Sequence, residues 1–259
     1  MNTYEAFASL NQFHSARKSL AQAKKHLLEL GSIICRHKLE NKIAISLLHK
    51  HFDIHPNERV TKTLSGSFAQ IRPVNFRSSS SLTPYLWRFA EDAGGLHALE
   101  FFADETSEYQ PVSKEIESNA SFLLEMSQAL RKRNLNDIFG ISLVHMNDLD
   151  EELIWLETTD SKQRILTIEQ VSKSSADDEL TETTWTFTIN RSALCERCTR
   201  LIELADPPVE PPKDKPWKKE KPLTEPNADP SVMCTFHCHQ HCHQHCKQHC
   251  QDHGRKGES

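Results

Sequence analysis

Glycine is scarce in this chain, seven residues in 259, which leaves little material for loops that cradle phosphate. No GxGxxG, P-loop, GxSxG or HExxH pattern occurs, so no familiar nucleotide, hydrolase or metalloprotease signature is present. No apolar run approaches the roughly 18 residues of a membrane span, and the opening "MNTYEAFASLNQFHSARKSLAQAKK" has no basic stretch followed by an apolar one. The chain therefore reads as intracellular and cytoplasmic, with no membrane partner. Positive charge is not in excess either. The formal net charge is -5, which gives no electrostatic reason to expect nucleic acid as a partner. What is present is an ordinary soluble composition, 26% charged and 37% hydrophobic, with eight cysteines that in a reducing compartment suggest metal ligands or spectators before disulfides.

Proline is distributed unevenly. Eight of the twelve fall between Pro207 and Pro230, among Lys, Glu and Asp, in a stretch suited to an extended, solvated spacer. This divides the chain into a folded domain over 1–205, a proline- and charge-rich linker over 206–231 and a Cys/His-rich tail over 232–259. Within the folded part, Phe7, Leu10, Phe13, Leu20, Leu27 and Leu30 recur at helical spacing and predict one amphipathic helix from Tyr4 to Leu30, ending near Gly31. A second helix is predicted across "KEIESNASFLLEMSQALRKRN". A third is predicted over "SALCERCTRLIELA", with Ser192 as its cap. Strands are expected at "KIAISLLHKHF", "RVTKTL", "FAQIRPV", "YLWRFAE", "HALEFF", "FGISLVHM", "ELIWLET", "RILTIEQV" and "TTWTFTI".

Two stretches echo each other, "RHKLENKIAISLLH" ending at His49 and "RKRNLNDIFGISLVH" ending at His145, and each is followed by a tryptophan strand, at Trp87 and Trp185. The expected fold class is accordingly α+β, two similar halves of helix plus antiparallel strand over 5–104 and 112–205. Internal duplication and chance similarity of short apolar words both account for the echo. The words "ISLLHKHFDIHPNERV", "TTWTF" and "CERC" resemble a family of uncharacterised proteins from filamentous fungi over about residues 20–200. That resemblance implies domain limits and no chemistry, and the tail lies outside it.

Two places in the folded part offer ligands. In "HKHFDIHPNE" a strand would point His49 and His51 to one face, where they could share a metal with His55 or Glu58 as third ligand. The pair resembles the HxH of cupins but lacks the flanking glycines, and Glu58 lies too far downstream. The alternative is a pair of half-buried histidines with local hydrogen bonds. In "LCERC", Cys195 and Cys198 near a helix start would have lowered thiol pKa values and could form half a zinc site, or be structural cysteines. Cys35 reads as core. The acidic words "NDLDEE" and "SADDELTE" read as solvated turns.

The tail is the densest signal. It carries thiols at Cys234, Cys238, Cys242, Cys246 and Cys250, and imidazoles at His237, His239, His241, His243, His245, His249 and His253. With almost nothing apolar to bury, it is expected to be disordered without metal. Its mixture of soft and borderline ligands suits Zn2+ or Cu(I). Replication slippage of a four-residue unit would produce the same repeat without selection for metal. The sequence thus supports a non-enzymatic interaction domain, with metal ions and protein partners, carrying a metal-binding tail. An enzyme of unknown class with its site near His49 and His51 stays open beside it. No organic cofactor is indicated, and nothing fixes the oligomeric state.

Overall fold

Each of the nine strand words contains a strand, because runs of β-branched and aromatic residues fit a pleated, largely buried surface, although "KIAISLLHKHF" leaves its strand after Leu47 and the end of "FGISLVHM" lies outside the described residues. The first half supplies β1 (Ile43–Leu47), β2 (Glu58–Ser65), β3 (Phe68–Asn75), β4 (Thr83–Phe89) and β5 (Leu96–Phe102). The second supplies β6 (Phe139–Leu143), β7 (Leu153–Asp160), β8 (Ile165–Ser172), β9 (Thr181–Asn190) and β10 (Ala193–Ile202). The computed structural model of the chain describes residues 2–76, 82–91, 95–103, 107–144, 153–172, 180–190 and 193–202. The linker, the tail, Ser192 and His145 lie outside the described residues.

The expected two-half α+β architecture is overturned. The ten strands close into one barrel in the order β1, β6, β4, β5, β2, β3, β8, β7, β10, β9, and β9 returns to β1. The sheet is mixed, since β2 pairs parallel with β5 and β7 parallel with β10. Neither half keeps a sheet of its own. The halves join at four places, β1 with β6, where Ile45 lies opposite Ile141, β6 with β4, β3 with β8, where Ala69 lies opposite Ile168, and β9 with β1. Closure removes the open edges that two separate sheets would have exposed.

The helices lie outside this barrel. The predicted Tyr4–Leu30 helix is three: α1 (Thr3–Ala8), α2 (Phe13–Ala23) and α3 (Leu27–Arg36), the last two joined by a 3-10 turn over Lys24–His26. The second predicted helix is broken into α4 (Gln110–Ser118) and α5 (Ala120–Lys132) at Asn119, whose side chain accepts the Phe122 N–H and caps α5. Beyond α3 and α5 the chain turns through left-handed residues, Lys38 at φ 58° and Asn134 at φ 57°. Leu39 and Leu135 then donate back to the Ile34 and Leu130 carbonyls, which closes each helix and aims the chain into β1 or β6. The third predicted helix is absent. "ALCERCTRLI" is β10, in register with β9, because its apolar and threonine side chains find a partner strand that a local reading cannot see.

Among the described residues no helix is long and apolar enough to cross a membrane. The helices instead cover the outer face of β4 and β9. Trp87 donates its indole N–H to Glu117 on α4, and Trp185 sits edge-on to Phe139. Gly31, expected at a helix end, lies within α3, directly over the Phe187 ring, where a methyl group would overlap it. Gly31→Ala should therefore destabilise the fold by about 1–3 kcal/mol, although alanine is otherwise about 1 kcal/mol better than glycine inside a helix. Urea unfolding of the variant beside the parent chain measures this, and equal stability would mean that α3 does not press on β9.

Candidate metal centre

Closing the barrel sends alternate side chains inward, and the inner set here mixes Ile71, Leu86 and Leu166 with hydroxyl and charged groups. Ser46 on β1 meets Ser142 on β6 at 2.8 Å and Thr184 on β9 at 3.4 Å. Around them Lys62, Glu100, Glu157 and Arg200 are all buried, one charged residue from each of β2, β5, β7 and β10. Two strand irregularities help to aim them. Register shifts in the β4–β5 pairing around Leu86 leave Tyr85 facing the interior while Trp87 faces α4. Shifts on both sides of Arg200 in the β9–β10 pairing turn its guanidinium inward, as bulges commonly do near functional sites.

His49 and His51 lie just past β1, where the chain crosses this interior, with ring centroids 4.5 Å apart. The Nδ1 atom of His49 is 2.9 Å from the Leu47 carbonyl, which only accepts, so Nδ1 carries the proton and Nε2 presents a lone pair. His51 Nδ1 is 2.9 Å from the Thr159 hydroxyl, which leaves its own Nε2 directed at the same place. That place is Glu157. Its Oε2 lies 4.0 Å from His49 Nε2 and 3.7 Å from His51 Nε2. One ligand atom from each of the three residues falls within 4.8 Å of the others. Neither His49 Nε2 nor Glu157 Oε2 has a hydrogen-bond partner, and both are fully buried atoms, an arrangement costly enough to need a reason.

Glu157 is held from its other side. Arg200 Nη1 is 3.2 Å from Glu157 Oε1 and donates to the Tyr85 hydroxyl at 3.0 Å. Lys62 Nζ lies 4.5 Å from the centre of the Tyr85 ring, a contact between a cation and the negative face of an aromatic. These groups enclose a cavity of about 20 Å³, space for one water. The set of two imidazoles and one carboxylate oxygen matches sites of zinc and of non-haem iron, for which ligand bonds of about 2.0–2.2 Å require the three side chains to draw in slightly.

Burial sets the protonation states. It lowers the His49 pKa from the ordinary 6.5, partly opposed by Glu157, and it holds that of His51 well below 6.5, helped by the charge of Arg200. Both rings are thus neutral near pH 7, the form that binds metal. Burial pushes the Glu100 carboxyl up to about 7, with Arg200 opposing the rise and Glu157 adding to it.

The sequence reading paired His49 with His51, and the structure brings them together. His55 or Glu58 is the third residue expected from sequence, and the structure sets Glu157 beside the pair instead. Glu58 is taken by a forked ion pair with Arg164 at 2.7 and 3.0 Å, and it accepts the His55 backbone N–H. Glu157 was missed, along with Arg200, Tyr85 and Lys62. The available signal was a charge in the middle of an apolar strand, as in "LIWLET" and "CTRLI", which a local reading assigns to a solvated face. The CxxC expectation is also corrected. Cys195 and Cys198 lie on β10, so no helix start lowers the thiol. Burial and then Glu182 push the Cys198 thiol well above 9.0, and its Sγ donates to the Arg200 carbonyl at 3.2 Å. Cys35 is buried in the core. The tail ligands lie outside the described residues.

Comparison with protein-family models, with curated proteins and with solved structures finds no match for this chain in any of the three.

The shifted groups predict opposite pH effects. The folded state leaves His51 neutral while the unfolded chain takes up its proton, so its contribution to stability is lost as pH falls below 6.5. Glu100 keeps its proton when folded, so its contribution is intact below 4.5 and is lost as pH rises towards about 7. In urea unfolding, the advantage of the parent over His51→Gln should shrink on acidification below pH 6.5. Glu100→Gln should gain on the parent between pH 4.5 and 7. Differences that stay flat across these windows would show that the two groups are not buried as described.

Proposed function

We propose that the barrel is a non-enzymatic metal-holding module, with His49, His51 and Glu157 as ligands for a borderline divalent ion, zinc foremost. The observation that carries this is the convergence of two buried imidazoles and a carboxylate oxygen within 4.8 Å, with His49 Nε2 and Glu157 Oε2 left without hydrogen bonds. A metal would satisfy both orphaned atoms at once. The Nδ1 contacts to Leu47 and Thr159 are the outer hydrogen bonds that orient metal-bound histidines. Zinc gains from imidazole nitrogen, whereas calcium and magnesium need several oxygen ligands that this set does not provide.

The small cavity favours a holding role over turnover. Its volume of about 20 Å³ admits a water as a further ligand. The Cys/His tail adds a second chelator of softer character, suited to zinc or Cu(I), and the pair of chelators makes the chain a metal-handling protein. Such a tail works inside the cell, where its thiols stay reduced. Tail and barrel are separable in an experiment on the whole chain. Elemental mass spectrometry of the reduced protein, equilibrated with buffered zinc, should show one ion fewer per chain in the double variant His49→Gln and His51→Gln. Replacing the five tail cysteines by serine should leave that ion in place. Equal zinc in the double variant and the parent, both folded by circular dichroism, would sink the barrel site.

A further inference from the structure

The carboxylate of Glu157 faces two ways. One oxygen, Oε2, points at the histidines, and the other, Oε1, is taken by Arg200. We propose that Arg200 is a built-in competitor of the metal, an internal cation whose charge sets both how tightly the site holds an ion and which class of ion it accepts. The proposal rests on the metal reading of His49, His51 and Glu157.

A carboxylate buried to 3% exposure inside a barrel is strongly unfavourable unless another group offsets its charge. Arg200 does this, and it has nowhere else to go. It is itself buried, its Nη1 is tied to the Tyr85 hydroxyl, and the remaining cavity is the size of one water. In the metal-free barrel Arg200 therefore already offsets the charge of Glu157, with Lys62 in the same interior.

An incoming divalent ion meets that arrangement unchanged. It gains two imidazole bonds and one carboxylate oxygen, but it also meets a guanidinium on the far side of the same carboxylate. A hard ion such as Mg2+ or Ca2+, which depends on carboxylate charge and on several oxygens, gains almost nothing there. Zinc keeps its bonds to the two nitrogens and binds in spite of Arg200. The consequence is a site that selects by ligand type and holds its ion exchangeably. Removing the guanidinium should strengthen binding, the reverse of what loss of a merely supporting residue would do.

The test reads the melting temperature of the whole chain against free zinc set by a chelator buffer. Stabilisation of the folded barrel reports its own ion by mass action, independently of zinc on the tail. In Arg200→Gln the free zinc needed for a given stabilisation should fall by about tenfold or more, as expected for removing a like charge several ångströms away. Millimolar Mg2+ or Ca2+, silent on the parent, should now stabilise, because the substitution frees Glu157 Oε1 and adds an amide oxygen to the ligand set. Arg200→Lys keeps the charge and should resemble the parent in both respects. If Arg200→Gln folds only with zinc, the same titration is read as the zinc level at which it folds. The proposal is overturned if Arg200→Gln needs as much zinc as the parent or more, or stays blind to Mg2+ and Ca2+. A parent barrel whose melting ignores zinc overturns the metal reading itself, which is a separate outcome.

Discussion

The structure depends on charge compensation inside a closed barrel. Ten strands can pair around a ring only if the inward side chains tolerate burial, and here four of them are ionisable: Lys62, Glu100, Glu157 and Arg200. Lys62, Arg200 and Glu157 share the interior with Glu100, whose carboxyl is pushed up by burial to about 7, and with Ser46, Ser142 and Thr184, whose hydroxyls bond to one another. Removing one member of such a set leaves an uncompensated charge, so the interior constrains its own composition more tightly than an apolar core would.

Other features follow from that constraint. Part of the apolar core lies outside the barrel, where Phe187 packs under α3 at Gly31 and Trp185 sits against Phe139, while Ile71, Leu86 and Leu166 remain inside. This explains why β1 and β6 are buried along their whole length, with polar groups on one face and helices over the other. Ion pairs also bridge α3 to α5, Arg36 and His37 to Glu125 and Arg133 to Glu29. These exposed pairs contribute little to stability. The hydrophobic layer beneath them, including Leu30, Ile34, Phe122 and Met126, supplies the larger share.

The polar interior also gives the histidines their chemistry. An apolar barrel would have left His49 and His51 with no carboxylate to face, and an open one would have solvated all three groups. Burial keeps the rings neutral, the Leu47 carbonyl fixes one tautomer, and Arg200 keeps the nearby carboxylate from being an unpaired buried charge. The stability of the barrel and the surroundings of the two histidines are thereby linked through one residue pair, Glu157 and Arg200.

Local pattern went far in this chain and stopped at a definite point. Nine strands were legible because apolar and β-branched runs declare them without reference to partners. The tenth was read as a helix, since "LCERCTRLIEL" carries apolar residues at spacings that suit either state and only pairing with β9 decides between them. Breaks at Ser9 and Asn119 were hidden by continuous amphipathic periodicity. His49 and His51 were found because two residues two apart share a face in any extended chain. Glu157 lies more than a hundred positions away and reaches them only through the order of strands around the ring. The sequence by itself therefore determined the local elements, the histidine pair and the ligand density of the tail, all properties of near neighbours. Only the tertiary structure decided that the sheet closes, that Arg200 turns inward at a bulge and that Glu157 meets the two histidines, because each depends on contacts between residues far apart in the chain.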